Sequence, residues 1–239
     1  MSDDHLKLFK CTLARFKNSI EISVSRNDYD EFHEEVLKQY LQDKGFTYVL
    51  KEGKKVVYTP EGLQIIYLKI PYSVVLDEVF VAKDYGSYDL KGHVVIDAGT
   101  YMAESAIYFA MHGASKVYGF EIDRENYNIG QENVKLNNMT DKIYLYHQTA
   151  TYESIRNLIT HYDLKNIFLK IDCEGCEYKI LENADCLTFE KITDVVLEYH
   201  RQPEPLMQKL IKLGFGVKRK GVIMFKHTPG IIYATRKTG

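Results

Sequence analysis

Val94-Val95-Ile96-Asp97-Ala98-Gly99-Thr100-Tyr101-Met102-Ala103-Glu104-Ser105 decides how this chain is read. An apolar run ends in a carboxylate, passes a turn with one glycine and leaves as a helix, as a buried parallel strand does on entering its crossover. Gly99 permits close backbone approach. The first amides of the helix opening near Ala103 lack partners within it and can meet an anionic group of a ligand. Alone, the segment would equally suit a routine strand-to-helix connection, so its surroundings carry the reading.

Working outward, strand-like runs at Lys116 to Glu121, Ile143 to His147, Ile167 to Asp172 and Val195 to His200 alternate with helical patterns. That rhythm predicts an α/β fold with a mostly parallel sheet. Ligands of such sheets bind beyond the carboxyl ends of the strands, so Asp97, Glu121, Asp172 and His200 are expected on one rim. The tail runs Phe215 to Lys218, Val222 to Phe225 and Ile231 to Thr235, broken by Thr228-Pro229-Gly230, and reads as a terminal antiparallel pair. Upstream, helical patterns cover Leu6 to Phe16 and Tyr29 to Leu41, the second capped by Asn27-Asp28 and ended by Gly45. Tyr48 to Leu50 and Val56 to Tyr58 flank Glu52-Gly53-Lys54-Lys55 as a hairpin, which Ile65 to Leu68 extends. Residues 1–78 are therefore read as a helical and β-hairpin cap, and 79–239 as the main domain.

The 239 residues hold 31 Lys and Arg against 33 Asp and Glu, a net charge of -2 that gives a polyanion no general attraction. Nucleic acid is accordingly disfavoured as a partner. The opening Met1-Ser2-Asp3-Asp4-His5 is polar and acidic where a secretory signal would be basic and then apolar. No apolar stretch reaches membrane-spanning length. Four cysteines, Cys11, Cys173, Cys176 and Cys186, are too few for a secreted disulfide framework in a chain this large. A reducing cytoplasm is the expected setting.

Glu121 closes the strand after the glycine turn, where a carboxylate can accept hydrogen bonds from ribose hydroxyls. Asp97, Gly99, Thr100, Tyr101, Glu121, Ile122, Thr149, Ala150 and Asp172 are the expected cofactor-binding residues. Thr100 to Ala103 supply no further glycine, so the dinucleotide fingerprint G-x-G-x-x-G is absent. Leu169-Lys170-Ile171-Asp172-Cys173-Glu174-Gly175-Cys176-Glu177 crowds carboxylates behind a buried strand, which requires a cation, a metal or a proton-transfer role to offset it. Within it Glu177 is expected to face solvent. Cys173-x-x-Cys176 lacks a second Cys/His pair at zinc-ribbon spacing and is flanked by acidic residues that raise a thiol pKa, so it reads as small packing cysteines. Glu198-Tyr199-His200 brings a carboxylate and an imidazole to another strand end.

Over approximately Val79 to Phe215 these segments together resemble the FkbM-type methyltransferases. The features that carry the resemblance are Asp97-x-Gly99 with Glu104-Ser105, Phe120-Glu121-x-Asp123, Asn126, and Asn133-x-x-x-Asn137. Leu169-Lys170-Ile171-Asp172-x-Glu174-Gly175-x-Glu177, Glu198-Tyr199-His200 and Leu213-Gly214-Phe215 complete it. The resemblance implies a class I methyltransferase (Rossmann-like) fold, S-adenosylmethionine as donor, and O-methylation of a hydroxyl on a sugar, glycan or small metabolite. In that chemistry the hydroxyl must lose a proton, with His200 expected as base and Asp172 and Glu174 beside it. A divalent cation would suit the carboxylates, but the resemblance does not require one and none is favoured. One departure stands out: the family commonly has Gly-Ala-Asn-Ile-Gly where this chain has Gly99-Thr100-Tyr101-Met102-Ala103. The Ala103 methyl is expected where the cofactor approaches the backbone, which supports the alternative of a non-catalytic S-adenosylmethionine- or nucleoside-binding module.

Overall fold

The computed structural model describes residues 29–68, 72–86, 88–220 and 230–236. The helix expected at Leu6 to Phe16, the Asn27-Asp28 cap and the strand expected at Val222 to Phe225 lie outside these residues. Helix α1 (Tyr29–Asp43) leads into an antiparallel sheet of β1 (Thr47–Lys51), β2 (Lys54–Tyr58) and β3 (Gln64–Tyr67). Glu52 and Gly53 both adopt positive φ (53° and 77°), as a two-residue type I′ connection requires. A short helix α2 (Ser73–Leu76) then continues into a π-helical turn, Asp77–Val81.

The main sheet is built from β4 (Val94–Ala98), β5 (Lys116–Glu121), β6 (Ile143–His147), β7 (Ile167–Ile171), β8 (Ile192–Tyr199), β9 (Phe215–Lys220) and β10 (Gly230–Arg236). Its order is β6-β5-β4-β7-β8-β10-β9, with the first five strands parallel and β10 antiparallel between β8 and β9. Helices α3 (Glu104–Met111), α4 (Arg124–Leu136), α5 (Tyr152–His161), α6 (Cys176–Asn183), α7 (Cys186–Phe189) and α8 (Glu204–Lys212) connect them. This is the class I methyltransferase arrangement expected above. The antiparallel pair falls at Phe215–Lys220 with Gly230–Arg236.

Successive strand residues serve opposite cores, as a pleat of period two demands. Val95, Val117 and Phe168 pack into one, and Ile96, Tyr118 and Leu169 into the other. Each such side chain contributes about 1.5–3 kcal/mol on full burial. The first core also takes in Phe46, Val57 and Ile65, so the small sheet and the large one share it. Two amides on α4 complete that junction. Asn133 accepts from the Ile66 amide at 2.7 Å and donates to the Ile66 and Met102 carbonyls, and Asn137 pairs with both backbone groups of Gln64. They pair backbone groups of β3 that would otherwise be buried unpaired. Helix α4 is itself capped by Asp123, whose side chain accepts from the Asn126 amide.

Candidate functional site

Strand β4 has β5 on one side and β7 on the other, so the order of the chain reverses there, and a crevice must open beyond these strand ends. A cavity of about 550 Å³ occupies it, a size suited to a small-molecule ligand. Gly99, Thr100, Tyr101, Glu121, Ile122, Thr149, Ala150, Asp172 and Glu174 line it, together with Glu78, Tyr85, Glu104, Lys170 and Glu198. A second hollow of about 480 Å³, bordered by Tyr178, Pro205 and Lys209, contains none of the expected site residues.

At one end stands the turn after β4. A Cβ on Gly99 (φ 85°) would lie 1.8 Å from the Asp172 carbonyl oxygen, so the glycine is dictated by packing against the end of β7. Tyr101 and Ala103 also take left-handed φ of 50° and 71°, each at a cost of roughly 1–2 kcal/mol. Glu121 organises the turn: its two carboxylate oxygens accept from the Tyr101 amide at 3.0 Å and the Asp123 amide at 2.8 Å. Burial raises the Glu121 pKa, and these amides oppose the rise. Thr100 Oγ1 is buried in the same wall without a hydrogen-bond partner, a group that a bound polar ligand would satisfy.

Two expectations about this turn are corrected. Asp97 is fully buried and does not line the cavity. It accepts from Ser105 Oγ at 2.6 Å and forms an ion pair of 3.1 Å with Lys170, its register partner on β7. It therefore anchors the turn from beneath. Ala103 is likewise fully buried in the core and is not part of the cavity wall; its methyl faces Gly130 of α4. The departure from the family pattern strains the backbone without obstructing the pocket.

At the other end, β7, β8 and the π-helical turn bring carboxylates together. Asp172 accepts from Tyr85 Oη at 2.6 Å and lies 4.0 Å from Lys170 Nζ. Burial pulls the Lys170 ammonium down, yet Asp97 and Asp172 outweigh it and leave the pKa raised. Lys170 also donates to the Gly99 carbonyl, joining both ends of the cavity. Glu198 is pushed up to about 8 by burial and by Asp172, with His200 opposing. Glu78 is likewise raised to about 8, by burial and then by Glu198 and Asp172.

His200 does not line the cavity. Nδ1 lies 3.1 Å from Glu177 Oε1 and Nε2 lies 3.3 Å from Glu174 Oε2. The Glu177 hydrogen bond lifts its pKa to about 9 against burial, so at neutral pH it is a cation and not the free base expected above. Glu177, expected in solvent, is wholly buried and accepts from the Gly175 amide at 2.8 Å as well as from His200. Glu174, expected beside the base, is largely exposed on the loop between the two cysteines. Those cysteines, expected as separate packing residues, are joined as a disulfide.

Glu78, Tyr85 and Lys170 escaped the sequence reading as site residues. Glu78 and Tyr85 belong to an irregular segment with no motif. Lys170 carried a signal: a lysine inside a five-residue strand whose other members are all apolar must find a buried anion. Among the described residues, Asp172, Glu198 and His200 bring ligand atoms within 4.8 Å of one another and could share a cation; Cys173, Cys176 and Glu177 do so only with the disulfide reduced.

A family model described as ribosomal protein L11 methyltransferase matches residues 81–171, the span from the π-helical turn to the end of β7. A ribosomal protein L11 methyltransferase of Carboxydothermus hydrogenoformans is 31% identical over 94 residues, 39% of this chain and 29% of that protein. The chain thus spans under a third of the relative's length. Among solved structures, SMU.776, assigned as a methyltransferase and complexed with S-adenosylhomocysteine, superposes with a TM-score of 0.54 at 11% identity, covering 77% of this chain and 56% of that one. Mycoplasma capricolum TrmK with S-adenosylhomocysteine gives 0.48 at 17% identity over 62% and 64%. The superposition on SMU.776 supports the expected fold; the matched model and relative are described as methyltransferases, in line with S-adenosylmethionine as cofactor, and the model is not that of the FkbM family. They overturn the expected partner. The matched family and relative are named for a ribosomal protein, not a glycan or small molecule. No helix among the described residues is long and apolar enough to cross a membrane.

Proposed function

We propose that the chain is an S-adenosylmethionine-dependent methyltransferase whose acceptor is an amine nitrogen on a protein. The observation that carries the reading is the polarity of one cavity. A backbone-anchored carboxylate, Glu121, stands at the end of β5, and a cluster of carboxylates, Asp172, Glu198 and Glu78, stands at the ends of β7, β8 and the π-helical turn. The first end suits a ribose; the second suits a group that arrives as a cation.

The cofactor would supply an electrophilic methyl group on sulfonium. Glu121 and Thr100 would hold its nucleoside, and Asp172, fixed by Tyr85 and Lys170, would orient the acceptor. An ammonium must shed a proton before it can attack. Glu198, with a pKa near 8, is matched to accept that proton around neutral pH, a match that makes a general base efficient. His200, already protonated, offsets negative charge nearby. Of the region read as a cap, Val75 and Glu78 line the cavity, and residues 72–78 are proposed to close over it. Resemblance to the FkbM family is retained for the motif region, but its hydroxyl chemistry is not carried forward. The non-catalytic alternative loses its support because the Ala103 methyl faces the core.

The test is transfer of labelled methyl from S-adenosylmethionine to purified ribosomal proteins and, separately, to rRNA. Label on a lysine side chain or an amino terminus supports the reading. Label confined to RNA refutes the protein acceptor, and no binding of S-adenosylhomocysteine in calorimetry refutes the cofactor.

A further inference from the structure

We propose that Cys173 and Cys176 form a reversible dithiol–disulfide site on the wall of this cavity, reacting with low-molecular-weight disulfides of the glutathione class, and that its redox state sets ligand affinity. The proposal rests on the cofactor reading only for the identity of that ligand. Both cysteines line the cavity and both are partly exposed, so a small disulfide can reach them. Their bond closes a loop that holds Glu174 at a left-handed φ of 55° and Gly175 at 112°.

The loop is coupled to both ends of the cavity. Cys173 Cα lies 3.1 Å from where a Gly99 Cβ would stand, and the adjoining Asp172 amide donates to the Ala98 carbonyl. A shift of Cys173 therefore moves the glycine turn. On its other side the loop positions Glu174 and Glu177, the two partners of His200, which itself lies among the groups around Glu198. Cysteines serving only as apolar filling would not need partial exposure on a cavity wall; the carboxylates beside them raise the thiol pKa and slow thiolate attack without barring it.

In the forward reaction one cysteine thiolate attacks a sulfur of the small disulfide, forming a mixed disulfide and expelling one thiolate. The second cysteine thiolate attacks the protein sulfur of that mixed bond, forming Cys173–Cys176 and expelling the other. The protein loses two electrons, the small disulfide is reduced to two thiols, and the two cysteine protons pass through solvent to the departing thiolates. A transient disulfide of this kind is compatible with a reducing compartment.

The experiment uses the full chain with Cys186→Ser, which removes an exposed thiol elsewhere. It is equilibrated with dithiothreitol or with oxidised glutathione and read by maleimide labelling of the peptide carrying Cys173 and Cys176. S-adenosylhomocysteine affinity is measured by calorimetry in each state. The peptide should label fully when reduced and not at all when oxidised, and affinity should differ by about fivefold or more. The double variant Cys173→Ser with Cys176→Ser, which can form neither the internal nor a mixed disulfide here, should hold one affinity under both conditions. Full labelling after oxidation, or affinities equal within about twofold, overturns the proposal. So does stoichiometric zinc on the reduced protein that Cys176→Ser abolishes. Binding in neither state refutes the cofactor reading and the coupling, while the labelling still decides whether the pair is a redox site.

Discussion

The two ends of the cavity use the same side chain to opposite effect. Glu121, at the end of β5, spends both oxygens on backbone amides from the turn and from the start of α4. Those amides work against the rise in its pKa that burial causes. Glu198, at the end of β8, faces Asp172 and Glu174 with burial adding to their repulsion, and its pKa climbs to about 8. A carboxylate held by backbone donors is a fixture of the scaffold; one held against other carboxylates exchanges its proton near neutral pH.

The sharpest way to break this contrast is Glu198→Gln. Turnover on the protein acceptor should fall by about 10²- to 10⁴-fold with S-adenosylhomocysteine affinity near wild type; turnover within a few-fold of wild type would remove Glu198 as proton acceptor. Wild-type turnover should climb with pH and level off above about 8, as Glu198 loses its proton. The stability sign follows from the same raised pKa. Between about 4.5 and 8 the folded chain keeps a proton that the unfolded chain has released, so unfolding free energy falls as pH rises through that window. Urea midpoints of Glu198→Gln should fall less over the same interval.

Lys170→Met tests the link between the two ends. It strands Asp97, which is buried and then retains only Ser105, and should cost about 3–5 kcal/mol in urea unfolding. A loss below about 1 kcal/mol would mean that the Asp97–Lys170 pair does not hold the two ends together. Glu121→Ala removes an anchor for two amides and for the proposed ribose contact. Calorimetry should show S-adenosylhomocysteine weakened by about 2–3 kcal/mol, near a hundredfold, while an unchanged affinity would place the nucleoside elsewhere. The smallest effect is expected from Ala103→Gly. Relief of left-handed strain, about 1 kcal/mol, is set against a lost buried methyl of about 0.8 kcal/mol, so stability and ligand affinity should both stay near wild type. A tenfold gain in affinity would show that the methyl reaches the cofactor after all.

Legibility in the sequence divides along the same line. The turn end was readable because each of its parts is local: an apolar run, a glycine, a helix start, then a carboxylate closing the next strand. Its exceptions, Asp97 and Ala103, were placed correctly along the chain and wrongly in depth. Depth depends on what lies on the other side of the strand, here Lys170 and Gly130.

By itself the sequence determined the alternation of strands and helices, the parallel sheet with its antiparallel finish, and two of the four strand-end residues expected on one rim, Glu121 and Asp172. These follow from backbone periodicity and turn chemistry, which act over a few residues. Only the tertiary structure decided the protonation of that rim. Glu78 and Tyr85 come from the π-helical segment and the loop after it, Asp172 from β7, Glu198 and His200 from β8 and Glu177 from α6. Each group's charge depends on its distance to the others and on exclusion of water, quantities that no spacing along the chain contains. That is why His200, read as a base in sequence, has its pKa lifted to about 9 beside the buried Glu177, and why Glu198 is the group proposed to accept the proton.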